Sequence, residues 1–428
     1  MREVRLLVAL TLAVTAAVGV GESARSAPES VQPPLVRLFE RADGHGDRLA
    51  LVDPQSLRPV SPSLPTFLDG LGGTFSPDGR LFAYGNGFDG RALVQLIDVQ
   101  RWSTRARMNL GGDGPVALAW PTQDCLIGVT GEGFGRQRLL VLTAPGGQVL
   151  ARRGFRGRRI ASATTPLGLV MLVAPDRGIG PARILHVGVD GDLRTIEVAR
   201  IRAGGNEGRR RGGRFRAPGL TVDAEARAAY LVAAGPMLVA RIDLTSGAVA
   251  YHELERVGPV GPAVAAKGNV AAWWRHASWL GDGRIAVSGH YEPPLRRGRR
   301  PQPLRPFGVR LIDTRDWTIR TLHPGAMFVR QAGERLLANG TVWHGGGKRS
   351  TSTGLLAFDM QGRRAFTRFR GADVSVLGTH GRLAYVWVRP TRMLHVLDLR
   401  SGESLRSRRV GPGRLPFLFS ATEATSGS

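Results

Sequence analysis

The chain has 428 residues, a formal net charge of +25 and a single cysteine. One cysteine excludes an intramolecular disulfide, so the fold must be held by packing alone. With 42% hydrophobic residues and 58 glycines, the composition is that of a turn-rich globular chain rather than a collagen-like or wholly disordered one.

Residues 1–27 read as a secretory signal. MREVR is a basic start, LLVALTLAVTAAVGVG is an apolar run short for a membrane span, and SARSA offers a cleavage region near Ala27. The expectation is an exported protein, periplasmic or extracellular, with no transmembrane span once the signal is removed. No cysteine follows the apolar run, so a lipoprotein anchor is not expected. Residues 28–428 are expected to form one domain.

Hairpins then recur along the chain. They begin at Arg48, Val94, Leu139, Ile184, Leu238, Val309, Leu355 and Leu394. Each is an apolar run, a turn of Gly, Asp, Ser or Pro, and a second, partly alternating run, which is the pattern of a β-hairpin. Asp53, Asp98, Asp243, Asp313, Asp359 and Asp398 stand where the first strand meets the turn. A carboxylate there accepts backbone N–H bonds and fixes the turn, so these residues are structural rather than catalytic. A second series lies between the hairpins, from GGTFSPDGRLFAYG to DVSVLGTHGRLAYVWV, each strand–turn–strand. One unit is thus a four-stranded meander, A-turn-B-loop-C-turn-D, repeating about every 40–50 residues.

That period is the mark of a β-propeller. SPDGRLFAY and DLTSGAV resemble the turns of the broad WD40-like, YVTN and TolB-like propeller group. The resemblance spans nearly the whole mature chain and implies an all-β fold, a single propeller of four-stranded blades. It leaves activity open, because such propellers host many functions. The repeat predicts eight blades, with seven as the alternative. Leu415–Ser420 is expected to return to the first blade as its innermost strand, joining the termini and removing open edges.

In such a meander the A–B and C–D turns share one face of the ring, and the B–C and D–A loops share the other. The longer loops of the second face are basic. The insertion at 200–218 carries Arg209, Arg210, Arg211, Arg214 and Arg216, and that at 290–306 carries Arg296, Arg297, Arg299, Arg300 and Arg305. Arg153, Arg156, Arg158, Arg159, Lys348 and Arg349 are placed on the same face. Arginine presents a planar fork that matches phosphate and carboxylate. An apolar insertion at 255–275 ends in Trp273 and Trp274, which either pack beneath the loop or against a neighbouring blade, or form an aromatic wall beside the arginines. His290 and Tyr291 adjoin the second Arg run.

The missing signatures narrow the function. CxxCH, GxSxG, a P-loop and HExxH are all absent. His186, His252 and His395 fall in strands of different hairpins, while His276, His290 and His344 fall near strand ends on the basic face. No metal site and no cofactor are predicted. The expected function is a non-enzymatic, monomeric scaffold that binds an anionic envelope component or an acidic protein surface. Export argues against nucleic acid as the partner. The alternative is a propeller enzyme of lactonase, lyase or quinone-linked dehydrogenase type, with its site at the channel mouth.

Overall fold

The structure, a computed structural model, describes residues 35–40, 47–66, 72–88, 91–131, 135–144, 146–205, 215–235, 237–254, 272–292, 304–344, 349–410 and 417–421. The expected signal, the apolar insertion up to residue 271, and Arg209, Arg210, Arg211, Arg214, Arg296, Arg297, Arg299, Arg300 and Lys348 lie outside these residues.

The strands run in chain order. β1 (Leu35–Glu40), β2 (Asp47–Leu51) and β3 (Leu64–Pro65) come first. β4 (Gly72–Phe75), β5 (Leu81–Phe88), β6 (Arg91–Asp98) and β7 (Ser103–Asn109) form one meander. β8 (Asp113–Thr122), β9 (Cys125–Gly131), β10 (Arg136–Thr143) and β11 (Val149–Arg156) form the next. β12 (Arg158–Thr165), β13 (Gly168–Ala174), β14 (Ile179–Gly188) and β15 (Leu193–Gly205) are followed by the short β16 (Phe215–Ala217). Then come β17 (Gly219–Asp223), β18 (Ala228–Val232), β19 (Leu238–Asp243) and β20 (Val249–Glu253). β21 (Ala272–Trp279), β22 (Arg284–Glu292), the two-residue β23 (Arg305–Pro306), β24 (Val309–Asp313) and β25 (Ile319–His323) follow. β26 (Phe328–Ala332), β27 (Arg335–His344), β28 (Arg349–Asp359) and β29 (Arg364–Arg368) make a further meander. The last strands are β30 (Val374–His380), β31 (Leu383–Val388), β32 (Met393–Asp398), β33 (Ser404–Arg409) and β34 (Phe417–Ser420).

β34 pairs antiparallel with β1, Val36 opposite Phe419, and completes a four-stranded sheet with β2 and β3. The expected closure of the termini is thus present. β30 packs beside β34, and β34 beside β4, so the meanders run round in a ring. Apolar cores lie between successive meanders, as where Phe75, Phe82 and Tyr84 meet Val36, Leu49 and Phe419. Inward-facing side chains of stacked sheets interdigitate there, and their burial is the main favourable term.

The blade count differs from the expectation. Among the described residues six four-stranded sheets stand as separate blades, not eight. The reason is β16. The 13-residue β15 outlasts its blade, and its end pairs with β16. β16 in turn runs parallel to β21, with Phe215 opposite Ala272 and Arg216 opposite Trp273. β12–β15 and the β21–β25 strands are thereby hydrogen-bonded into one ten-stranded sheet. Much of the segment expected to be an Arg-rich loop from residue 200 is therefore strand at its two ends. Gly219 permits the close approach of β17 to β21, because a Cβ there would lie 3.0 Å from Ala277 N.

All six aspartates do what the turn chemistry predicts. Asp53 accepts from Ser56 N (2.6 Å), Asp98 from Arg101 N (2.9 Å) and Asp243 from Ser246 N (2.7 Å). Asp313 accepts from Arg315 N (3.0 Å), Asp359 from Arg363 N (2.8 Å) and Asp398 from Ser401 N (3.0 Å). The left-handed residue of each turn then touches the neighbouring blade. Where the neighbour is bulky the residue is glycine: a Cβ on Gly402 would lie 2.6 Å from the Phe366 ring, and one on Gly362 2.5 Å from Leu322 Cδ2. Where there is room it is large. Trp102 (φ 46°) donates through Nε1 to Pro62 O at 2.6 Å, and Trp317 (φ 60°) stacks on His252.

The arginines are less confined to one face than expected. Arg153 and Arg156 lie on β11, an outermost strand, and β33 is exposed along its whole length with Arg406, Arg408 and Arg409. Charge on an outer edge blocks edge-to-edge association.

Candidate functional site

The site is built on β21 and β22. Strand alternation puts Trp273, Arg275 and Trp279 on one face of β21, and Trp274 and His276 on the other. Across the hairpin Trp273 stands opposite Tyr291, Trp274 opposite His290, Arg275 opposite Gly289, and His276 opposite Ser288. Gly289 has φ 150°, and a Cβ there would lie 2.1 Å from Trp274 O, so only glycine lets the hairpin close at this point.

On the first face, Trp273 is buried, stacks on Tyr291 at 5.3 Å and leans on Phe307 at 4.9 Å between ring centroids. The Arg216 guanidinium lies 5.6 Å from the Trp273 ring centre. Arg275 sits 3.6 Å from the centre of the Phe307 ring and donates through Nη2 to Met237 Sδ at 3.7 Å. Arg310 donates through Nη1 to the same sulfur at 3.4 Å. A thioether is a weak acceptor. Both arginines are only 3% exposed, yet Arg275 Nε and Nη1 and Arg310 Nε have no hydrogen-bond partner. Among the described residues no ion pair includes either one. Burial, and next the charge of Arg310, pulls the Arg275 guanidinium down to about 9, and burial also lowers Arg310. Uncompensated buried charge is costly, on the order of several kcal/mol for each ion, and among the described residues no acceptor meets these N–H groups.

The second face is a strip of rings. Phe215 lies 5.8 Å from Trp274, Trp274 4.7 Å from His290, and His290 5.7 Å from Phe328. Arg158 caps one end, 5.2 Å from the Phe215 ring centre. His276 is 6.4 Å from His290. Burial holds His276 near pKa 4; burial and then His276 hold His290 near 3, so both imidazoles are neutral at neutral pH. Both nitrogens of His276, Nδ1 of His290 and the Ser288 hydroxyl are buried without hydrogen-bond partners. A neutral imidazole nitrogen can ligate a metal. Among the described residues, however, no three His, Cys, Asp or Glu side chains converge.

The structure therefore brings together Arg216, Trp273, Trp274, His290 and Tyr291 of the residues singled out by sequence. Trp273 packs into a small core with Ala234 and Phe307. The sequence reading missed Arg275, Ser288, Phe307 and Arg310. One signal was available: in WWRHASW, Arg275 shares the parity of Trp273 and Trp279, an inward position where a charge is out of place.

Fold and site together define a β-propeller with an aromatic, partly unsatisfied polar cluster at the mouth of one inner hairpin. No protein-family model and no curated protein matches the chain. Among solved structures the chain is similar to the dihydro-heme d1 dehydrogenase NirN in complex with DHE. The identity is 17%, the TM-score 0.58, and 97% of this chain and 82% of that one are covered. It is also similar to apo AztD from Citrobacter koseri, at 12% identity and TM-score 0.49, over 93% of this chain and 99% of that one. At such identities the likeness is one of fold. Among the described residues no helix is long and apolar enough to cross a membrane.

Proposed function

We propose that this protein is an exported, non-enzymatic propeller that binds an anionic ligand at the β21–β22 mouth. The observation that carries the reading is the pair Arg275 and Arg310: buried, beside aromatic rings, with guanidinium N–H groups lacking acceptors. A ligand carboxylate or phosphate would supply them bidentately. Tyr291 and Phe307, on the same face as Arg275, would supply aromatic contact beside the guanidiniums, which favours an anion that also carries a ring. Arg296 follows the end of β22 by four residues, so the Arg run starts from this end of the hairpin in the chain. NirN, solved in complex with DHE, is a propeller of similar outline that holds a ligand. Residues 1–27 as a signal and 28–428 as one domain are part of the same proposal.

The test is a fluorescence titration of the mature protein with benzene-1,3,5-tricarboxylate, reading the site tryptophans, beside Arg275→Met. Saturable quenching that weakens by about 10–100-fold in the variant is expected, since a charge-assisted hydrogen bond is worth about 1.5–3 kcal/mol. No saturable response, or equal affinity in the variant, removes the site.

A further inference from the structure

A second positively charged feature lies away from this site, at the seam where the ring closes. A cleft of about 80 Å³ separates the first meander from the last. Its walls include Arg37 on β1, Ser56 and Leu57 in the turn after β2, and Arg406 and Arg408 on β33. In the β32–β33 ladder Arg406 stands opposite Val396 and Arg408 opposite Leu394. Those two apolar residues belong to the core shared with Leu35, Leu57 and Leu418. Directly opposed side chains share a face, so both arginines project on the side that meets the first meander.

The cleft's chemistry is one-sided. No acidic residue lines it among the described residues. Asp53 lies outside this lining and accepts from the Ser56 N–H at 2.6 Å; its charge reaches Arg406, while Arg37 and Arg408 repel each other. Arg37 donates through Nη1 to Leu57 O at 3.4 Å. Burial, and then the charge of Arg408, lowers the Arg37 guanidinium to about 10. Edge protection accounts for arginine on the solvent side of β33. It does not account for guanidiniums from two blades converging in one cleft, where like charges repel.

We propose that the cleft binds a small tetrahedral oxyanion, phosphate or sulfate, which bridges β1 and β33 across the seam. Arginine forks match such an ion bidentately. Because Arg37 and Arg408 are brought together only when β34 has closed the first sheet, the ion binds the closed ring and stabilises it by mass action. This site is independent of the β21–β22 mouth.

The experiment is a melting series in sodium phosphate, sodium sulfate and glycerol 3-phosphate, each against sodium chloride at matched ionic strength so that screening is equal. Phosphate and sulfate are expected to raise the midpoint by about 2–5 °C at saturation. Arg408→Gln and Arg406→Gln, both at exposed positions, should lose the rise, and Arg275→Met should keep it. Equal melting in phosphate and chloride overturns the proposal. So does a rise that survives in both seam variants, or one that Arg275→Met abolishes. A rise with glycerol 3-phosphate alone overturns the free-ion assignment in favour of a phosphorylated headgroup.

Discussion

The Asp-capped turns and the mouth of the β21–β22 hairpin lie on opposite faces and treat polar groups in opposite ways. At the turns, each carboxylate meets a backbone N–H two to four residues further along the chain, as Asp398 does with Arg400 N and Ser401 N. At the mouth, Arg275, His276, Ser288, His290 and Arg310 keep buried polar atoms without partners. The first arrangement is complete within itself and serves stability. The second is incomplete, and incompleteness in a buried place is a mark of a site.

The comparison can be broken most severely by opening the ring. Deleting residues 415–428 removes β34, and with it the contacts of Leu418 and Phe419 in the cores of the first blade. A loss of more than about 5 kcal/mol is expected, since each large core side chain is worth about 2–5 kcal/mol. Calorimetry showing an unchanged midpoint would refute the closure. Next in size is Trp102→Ala, at a turn whose left-handed residue anchors the neighbouring blade. It should cost about 3–5 kcal/mol by denaturant melt.

Arg275→Met sharpens the contrast, because it should not destabilise at all. Replacing a buried, unpaired charge by an apolar chain of similar length is expected to leave stability unchanged or raise it by about 1–4 kcal/mol, while ligand affinity falls. A loss of stability would show instead that the arginine is structural. The histidines give a pH test. His276 and His290 have folded pKa values near 4 and 3, below the ordinary 6.5. The unfolded chain therefore binds protons first, so stability is full above about pH 6.5 and declines as pH falls toward 4 and 3. His290→Phe should flatten that decline in a melting series from pH 7 to 4; an unaltered slope would mean that the imidazole does not stay neutral. The smallest effect belongs to a turn. Asp398→Ala should cost about 1–2 kcal/mol, read as a shift in the denaturant midpoint at constant slope, with no change in ligand affinity.

The turns were legible because their chemistry is local. Asp at the strand end and Gly or a bulky residue three or four positions later describe one tight turn, whatever lies around it. Closure by the C-terminal strand was legible for a related reason: the repeat left one unpaired strand at each end. The site was only half legible. Trp273, Trp274, His290 and Tyr291 lay near the Arg runs in sequence, but nothing local shows that Arg275 and Arg310 meet at one Met237 sulfur. Arg310 and Met237 belong to hairpins of different blades, 73 residues apart in the chain.

By itself, then, the sequence determined the strand period, the turn chemistry and the four-stranded unit, because hydrogen bonding and alternation act over a few residues. The tertiary structure decided three other things: that β16 fuses two meanders into one sheet, which arginines are buried without partners, and which ones converge at the seam. Those outcomes depend on distances between strands far apart in the chain, and such distances are set only when the ring closes.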